Sequence, residues 1–382
     1  MSFLTHFRES VSINQEDIVD LNGGGFFIDL PPVCPIPNTT TIDLSDPSIA
    51  VRYEYNSVHT VLVTIVYPCI CLFGILTNSI FLLTVFRVPD MRTITNAYLS
   101  NLAVSDIMFL STGAGFGLWK YLSTPVTADY SICGGAAGCF FTTLLNNTPF
   151  HASTFLVTVV TVERYLAVCR PILHRNINSR GHTIGLLAIT WLVAACLAVF
   201  VFFGGSNYIV KCVMWPDDIR YSNFPQTIAS CYNSALWAYV FVAFALTAPT
   251  FLAFLVTFTL DVFIVRKLSR RINKFGSEQP SSLAQSRRIR DRVAKMLVIT
   301  GALFFTLITP RFILSIYFFV TFFAGAPGLS PDAEFIVFVT TNALLYVNSA
   351  INPIIYAFSN GRYRHAARLA LCSRSVIYAV HT

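Results

Sequence analysis

A few ionisable residues stand inside runs that are otherwise apolar, and these are the positions where the chain can do chemistry. Asp106 lies in Leu102-Ala103-Val104-Ser105-Asp106, Arg311 follows Pro310, and Glu163-Arg164-Tyr165 closes a third run. A charge in hydrocarbon costs free energy, so by default it marks a functional site with a partner nearby. A lone buried carboxylate takes up a proton rather than stay ionised. Asn78, Ser153, Asn348, Ser349 and Asn352 are mid-run polar groups that can surround Asp106. With water or a small cation they would let it hold its charge. The plainer alternative is a set of interhelical hydrogen bonds with no switching role. Arg311 also needs a partner or water. That partner is either a ligand carboxylate or amide carbonyl, or else a nearby acid or the outer interface reached by snorkelling. Catalysis is not supported: Asp106 is the only deep acid, no Ser/His/Asp set is apparent, and His151 reads as a packing or hydrogen-bonding residue.

The elements that must position these groups follow from composition. Of 382 residues, 12% are charged, 54% hydrophobic and 14% aromatic, with 34 Phe. A soluble domain carries about 25% charged residues, and disordered chains lack aromatics, so membrane spans are expected. A helix needs about 20 apolar residues to cross the hydrocarbon core. Seven stretches qualify, near 58–86, 95–120, 134–162, 183–203, 235–265, 293–322 and 333–358. Every ionisable residue other than Asp106, Glu163 and Arg311 is placed between them. An odd number of spans puts the termini on opposite sides. One set of loops, with the C-terminus, carries a balance of +15; the other, with the N-terminal segment, carries −7. The positive-inside rule then predicts an external N-terminus and a cytosolic C-terminus. The basic residues are topological signals, and nucleic acid is excluded as a partner.

Residues 1–57 form a polar, Gly/Pro-punctuated segment read as flexible, without the apolar core of a cleavable signal peptide. Asn38-Thr39-Thr40 is an accessible glycosylation sequon there, whereas Asn146-Asn147-Thr148 falls within the third span. Residues 266–291 form a basic, Ser-rich connection. Repeated halves with paired broken helices, as in ion-coupled transporters, are not apparent.

Two strings carry a resemblance. Glu163-Arg164-Tyr165 ends the third span, and Asn348-Ser349-Ala350-Ile351-Asn352-Pro353-Ile354-Ile355-Tyr356 ends the seventh. With Asp106, Trp191, Pro249 and Pro310 on the second, fourth, fifth and sixth spans, the chain resembles class A, rhodopsin-like G-protein-coupled receptors over roughly residues 58–372. The resemblance implies an all-α seven-transmembrane bundle at 58–360 and a short amphipathic eighth helix with a cytosolic tail at 361–382. It implies that Arg164 is the switch arginine, held by Glu163 at rest. Asp106, Ser153, Asn348, Ser349 and Asn352 match a site for water and an allosteric Na+. Asn352, Pro353 and Tyr356 match the activation hinge, and Phe304 the central transmission switch. A plasma-membrane location, a heterotrimeric G protein, arrestin and receptor kinases as partners, and no cofactor beyond Na+ are implied with it. The alternatives are a non-signalling decoy or scaffold, or a receptor for a small non-amine ligand.

Departures from the family pattern are specific. Ile308 stands where the family has Trp, and Thr257 where it has Tyr. Arg290 replaces an acid found in some members, and Pro149 interrupts the third span. These changes predict a looser resting latch. Cys139, 25 positions before Arg164, matches the family's bridge to the second outer loop; Cys212 is the favoured partner and Cys231 the alternative. Cys372 ends a basic-apolar stretch suited to an interfacial helix with a palmitoyl anchor.

Ligand class is narrowed the same way. The aspartate of amine receptors is Asn146 here, and the retinal lysine of opsins is Tyr346. Pairs sharing a helix face propose the pocket: Asn146 with Phe150, Arg311 with Ser315, Asn342 with Tyr346. The acidic outer surface, with Asp217 and Asp218 on a long loop, favours a peptide with basic residues. The pattern is similar to invertebrate neuropeptide receptors of the FMRFamide-receptor type.

Overall fold

Long apolar runs fold as helices in lipid because a helix satisfies its own backbone donors and acceptors. The structure, a computed structural model, describes residues 39–177, 179–205, 207–231, 236–275, 282–324, 329–359 and 361–372. Cys34 and Asn38 lie outside the described residues, as do the side chains of Arg290 and Cys372. The main helices are α1 (Ser57–Arg87), α2 (Ile94–Ser123), α3 (Ala136–Cys169), α4 (Arg180–Gly205), α5 (Leu236–Phe275), α6 (Ser282–Ala324), α7 (Pro331–Ser359) and α8 (Gly361–Cys372). Among the described residues, seven of these helices, α1 to α7, are long and apolar enough to cross a membrane. The chain is thus a multi-pass membrane protein. Large apolar side chains such as Leu72, Phe86, Leu122 and Phe251 face outward, as lipid contact requires.

Local signals set the helix ends. Thr93 caps α2 by accepting from the Asn96 N–H at 3.2 Å. Gly134 and Gly135, at φ of 67° and 131°, turn the chain into α3. α3 is the hub: 61% of its most apolar window is buried, against 22–35% in the other spans. Where α1 meets its neighbours the fit is close. A Cβ on Gly74 would lie 2.5 Å from Leu110 on α2 and 2.8 Å from Ala350 on α7, the small-residue contact that lets membrane helices approach. α8 buries Tyr363, Ala366 and Ala370 on one face and leaves Arg362, Arg364 and Arg368 exposed, so it is amphipathic as expected. Arg87 on α1 donates to the Ala370 carbonyl at 2.8 Å.

One end of the bundle carries a small sheet. β1 (Thr41–Asp43) pairs parallel with β2 (Ile209–Met214), which pairs antiparallel with β3 (Thr227–Ser230). Leu44, Tyr53, Val126, Val213, Tyr221 and Ile228 make a separate core beneath it, and Arg220 pairs with Glu54. Part of the segment read as flexible is therefore built into the structure from Thr39 onward. The reason is long-range: the polar segment supplies a third strand to a hairpin more than 160 residues away.

The cysteine pairing favoured by the sequence is corrected here. Cys139 is bridged to Cys231, not to Cys212. Asp129 accepts from the Ala229 N–H at 3.0 Å, and Tyr130 N–H donates to the Ala229 carbonyl at 2.7 Å. Those bonds hold the end of β3 beside the start of α3. Cys212 lies in mid-sheet and is engaged in a disulfide of its own. The placement of all remaining charges between spans is corrected too: Asp261 lies inside α5, within the apolar stretch Phe244–Arg270. Peptide mapping under non-reducing conditions should recover a Cys139–Cys231 cross-link; a Cys139–Cys212 cross-link would contradict this topology.

Candidate functional site

Beneath the sheet, the helices diverge round a cavity of about 460 Å³. All six residues proposed from shared helix faces line it: Asn146 and Phe150 on α3, Arg311 and Ser315 on α6, Asn342 and Tyr346 on α7. Asn146 and Ser315 spend hydrogen bonds on their own helices, to the Thr142 and Arg311 carbonyls, each at 3.0 Å. The Arg311 guanidinium lies 5.8 Å from the Phe338 ring centre, a distance at which the ring face attracts a cation. Tyr346 packs edge-on to Tyr67 at 5.2 Å and lies 5.7 Å from Phe109.

Sequence reasoning missed much of the upper wall. Tyr55, just before α1, and His59, in its first turn, reach the cavity, as does Lys120 from the end of α2. Lys120 Nζ lies 3.7 Å above the Tyr130 ring and donates to the Thr127 carbonyl. Its position as the last base of an apolar run was the available signal. The lining includes two basic side chains, Lys120 and Arg311, and no carboxylate among the described residues. Asp217 and Asp218 stay exposed on the loop between β2 and β3.

The cavity floor separates it from a polar core. Phe109, Phe150, Ile308 and Leu345 border both the cavity and a smaller void of about 10 Å³ beneath it. Phe304, Ser153, Asn348 and Ser349 complete that void, which has room for one water-sized group. Asp106 is fully buried below. It accepts from the Ser153 hydroxyl at 3.1 Å and from the Asn352 amide at 2.8 Å. Asn78 donates to the Gly74 and Ser349 carbonyls at 2.9 and 3.0 Å, tying α1 to α7. The side-chain oxygens of Asn78 and Asn348 are buried without hydrogen-bond partners among the described residues. Carboxylate, hydroxyl and carbonyl oxygens are the donor types a hard cation takes, so the residues present fit Na+.

Further along the bundle, Pro353 permits the local break in α7 expected of a helix proline. Tyr356 is buried against Phe81, with ring centres 5.4 Å apart, and its hydroxyl has no partner among the described residues. At the basic end, Arg164 Nε lies 2.6 Å from Glu163. A contact the sequence did not suggest adds to this: His174, on the short helix Pro171–Ile177, lies 3.1 Å from the other Glu163 oxygen. Tyr165 turns away toward Phe263 on α5, at 6.1 Å. Trp191 donates to Asn101 at 3.1 Å and joins α4 to α2.

A cavity at one end, a buried carboxylate in the middle and an adjacent Glu-Arg pair at the other end now meet a direct comparison. The 7 transmembrane receptor (rhodopsin family) profile matches residues 77–356. This chain belongs to that family. The receptor is 28% identical over 309 residues to neuromedin-U receptor 2 of Mus musculus, covering 80% of this chain and 74% of the relative. It is 27% identical to somatostatin receptor type 3 of Mus musculus, covering 82% and 69%. It is 27% identical to somatostatin receptor type 5 of Bos taurus, covering 82% and 77%. Members of the family are receptors, not enzymes.

Among the described acids, Glu163 alone stands within ion-pair distance of Arg164, and it is shared with His174. Ile308 fills the central position without an aromatic ring, 2% exposed. Ligand-independent second-messenger output should therefore exceed that of mock-transfected cells at matched surface expression, and Glu163→Gln should raise it several-fold. Output equal to mock in both would refute the loose latch.

Proposed function

We propose that this protein is a plasma-membrane receptor for an extracellular neuropeptide, with its sheet end outside, that activates a heterotrimeric G protein at its basic end. The cavity carries the proposal. It is wide, opens toward the sheet end, holds Lys120 and Arg311 within and has Asp217 and Asp218 exposed above. A peptide fits that charge order if its basic residues meet the acidic rim and a carboxylate or carboxamide end reaches Arg311. Relatives named as receptors for neuromedin U and for somatostatin support a receptor of the same general kind.

In this reading ligand contact reaches the polar core through the floor. Asn146, Phe150, Arg311, Ser315, Asn342 and Tyr346 bind, and Phe150 with Ile308 transmits pressure to Phe304. Asp106, Ser153, Asn348 and Ser349, with Asn78 and Asn352 beside them, hold water and Na+, which favour the resting arrangement. When the core reorganises, Pro353 and Tyr356 shift and Glu163 releases Arg164 to the G protein. The exposed bases Arg266, Lys267, Arg270 and Lys295 flank that end and suit both anionic lipid and a G-protein surface. Arrestin and receptor kinases are the further partners, with Asn38 glycosylated and Cys372 palmitoylated.

A peptide-library screen with a promiscuous G-protein readout tests the reading. A peptide agonist should emerge, and Arg311→Ala should lower its potency at least about tenfold, the loss of one charge-assisted contact. Asp217 and Asp218 changed together to Asn should weaken a basic peptide further at low salt. Activation only by small non-amine molecules, with potency indifferent to Arg311, would replace the peptide reading.

A further inference from the structure

The switch described above leaves unused a half-buried acid on α5. Asp261 lies inside α5, and its Oδ1 is buried with no hydrogen-bond partner among the described residues. Its other oxygen faces α6, where a Cβ on Gly301 would stand 3.1 Å away. A side chain at 301 would press on the carboxylate, and glycine leaves it that space.

Contacts between α3 and α5 fix the depth of Asp261. The Thr257 hydroxyl, one turn before it, hydrogen-bonds to Thr158 at 3.2 Å. Ile264, just after it, packs with Val168 of α3 and Ala294 of α6. The Cys169 thiol points to the Phe263 carbonyl at 3.9 Å. Residue numbers rise together on both helices, so they run parallel. Thr158 is level with Thr257 and Val168 with Ile264, which puts Arg164 level with Asp261. Arg164 is one turn before Val168 and shares its face.

The two groups have matching needs. Arg164 is 7% exposed and always charged, and it depends on a carboxylate that it shares with His174. Asp261 is an acceptor at the same depth on the adjoining helix. We propose that Asp261 is a second acceptor for the Arg164 guanidinium, taking it when Glu163 lets go and so holding the released state. The switch is then a transfer of one arginine between two carboxylates, one on its own helix and one on α5. Asp261 acts here as a positioning residue. The inference rests on the reading of Glu163-Arg164 as the switch.

A thermodynamic cycle on the full-length receptor tests it without any ligand. Glu163→Gln, Asp261→Asn and the double variant are purified in detergent and their Tm compared. Each single change should cost little, because one acceptor remains. The double variant should fall about 5 °C beyond the sum, since Arg164 is then buried without a counter-charge. Additive shifts would overturn the proposal. In membranes reconstituted with a G-protein panel, Glu163→Gln should raise nucleotide exchange, and adding Asp261→Asn should cancel most of that rise. An Asp261→Asn that raises exchange by itself would make Asp261 a resting brake and overturn the proposal. If no variant drives exchange, the signalling reading fails and the Tm cycle still decides this one. Should the double variant not fold, Glu163→Gln with Asp261→Glu decides instead: it keeps the charge and must match Glu163→Gln in Tm, and a lower value overturns the proposal.

Discussion

Asp106 has no exposed surface, yet it sits inside a bundle of seven apolar helices. An ionised carboxylate there is tolerable only if donors surround it, and those donors must come from other helices. Ser153 on α3 and Asn352 on α7 supply them. This requirement ties α2, α3 and α7 together more specifically than apolar packing does, because apolar contacts tolerate sliding and hydrogen bonds do not. Asn78 extends the tie to α1 through the Ser349 carbonyl.

The same requirement shapes what lies above and below. The layer of Phe109, Phe150, Ile308 and Leu345 touches the large cavity on one side and the polar core on the other. A side chain that moves in the cavity therefore changes the packing over Asn348 and Ser349 without any longer relay. Below, the seventh helix carries both Asn352 and Tyr356 across Pro353, so a change in the donors to Asp106 is a change in the position of the buried tyrosine. Cavity, core and basic end are three levels of one bundle.

Much of this was legible in the sequence, for definite reasons. Apolar runs gave the spans because membrane helices must be long and apolar. The i, i+4 pairs placed all six candidate pocket residues on the cavity wall, since spacing on a helix is spacing on a face. The polar core was legible because a mid-span polar group has few places to go. What escaped depended on distant pairing. β1 joins a strand more than 160 residues away, and no local pattern marks Thr41–Asp43 as a strand. Cys231 rather than Cys212 meets Cys139 because Asp129 and Tyr130 hold Ala229 in place, a fact of loop geometry. Asp261 escaped because the tally of charge by side counted it with the neighbouring basic loop, although it lies within the fifth apolar run.

A cation-binding core made by the oxygens around Asp106, as proposed above, would favour the resting bundle. The direct measurement is the thermal stability of purified receptor in Na+ against K+ at equal ionic strength, for wild type and Asp106→Asn. Such a core requires a higher Tm in Na+ for wild type and no difference for Asp106→Asn. Equal Tm in the two salts for wild type, or a sodium effect that survives in Asp106→Asn, would contradict it.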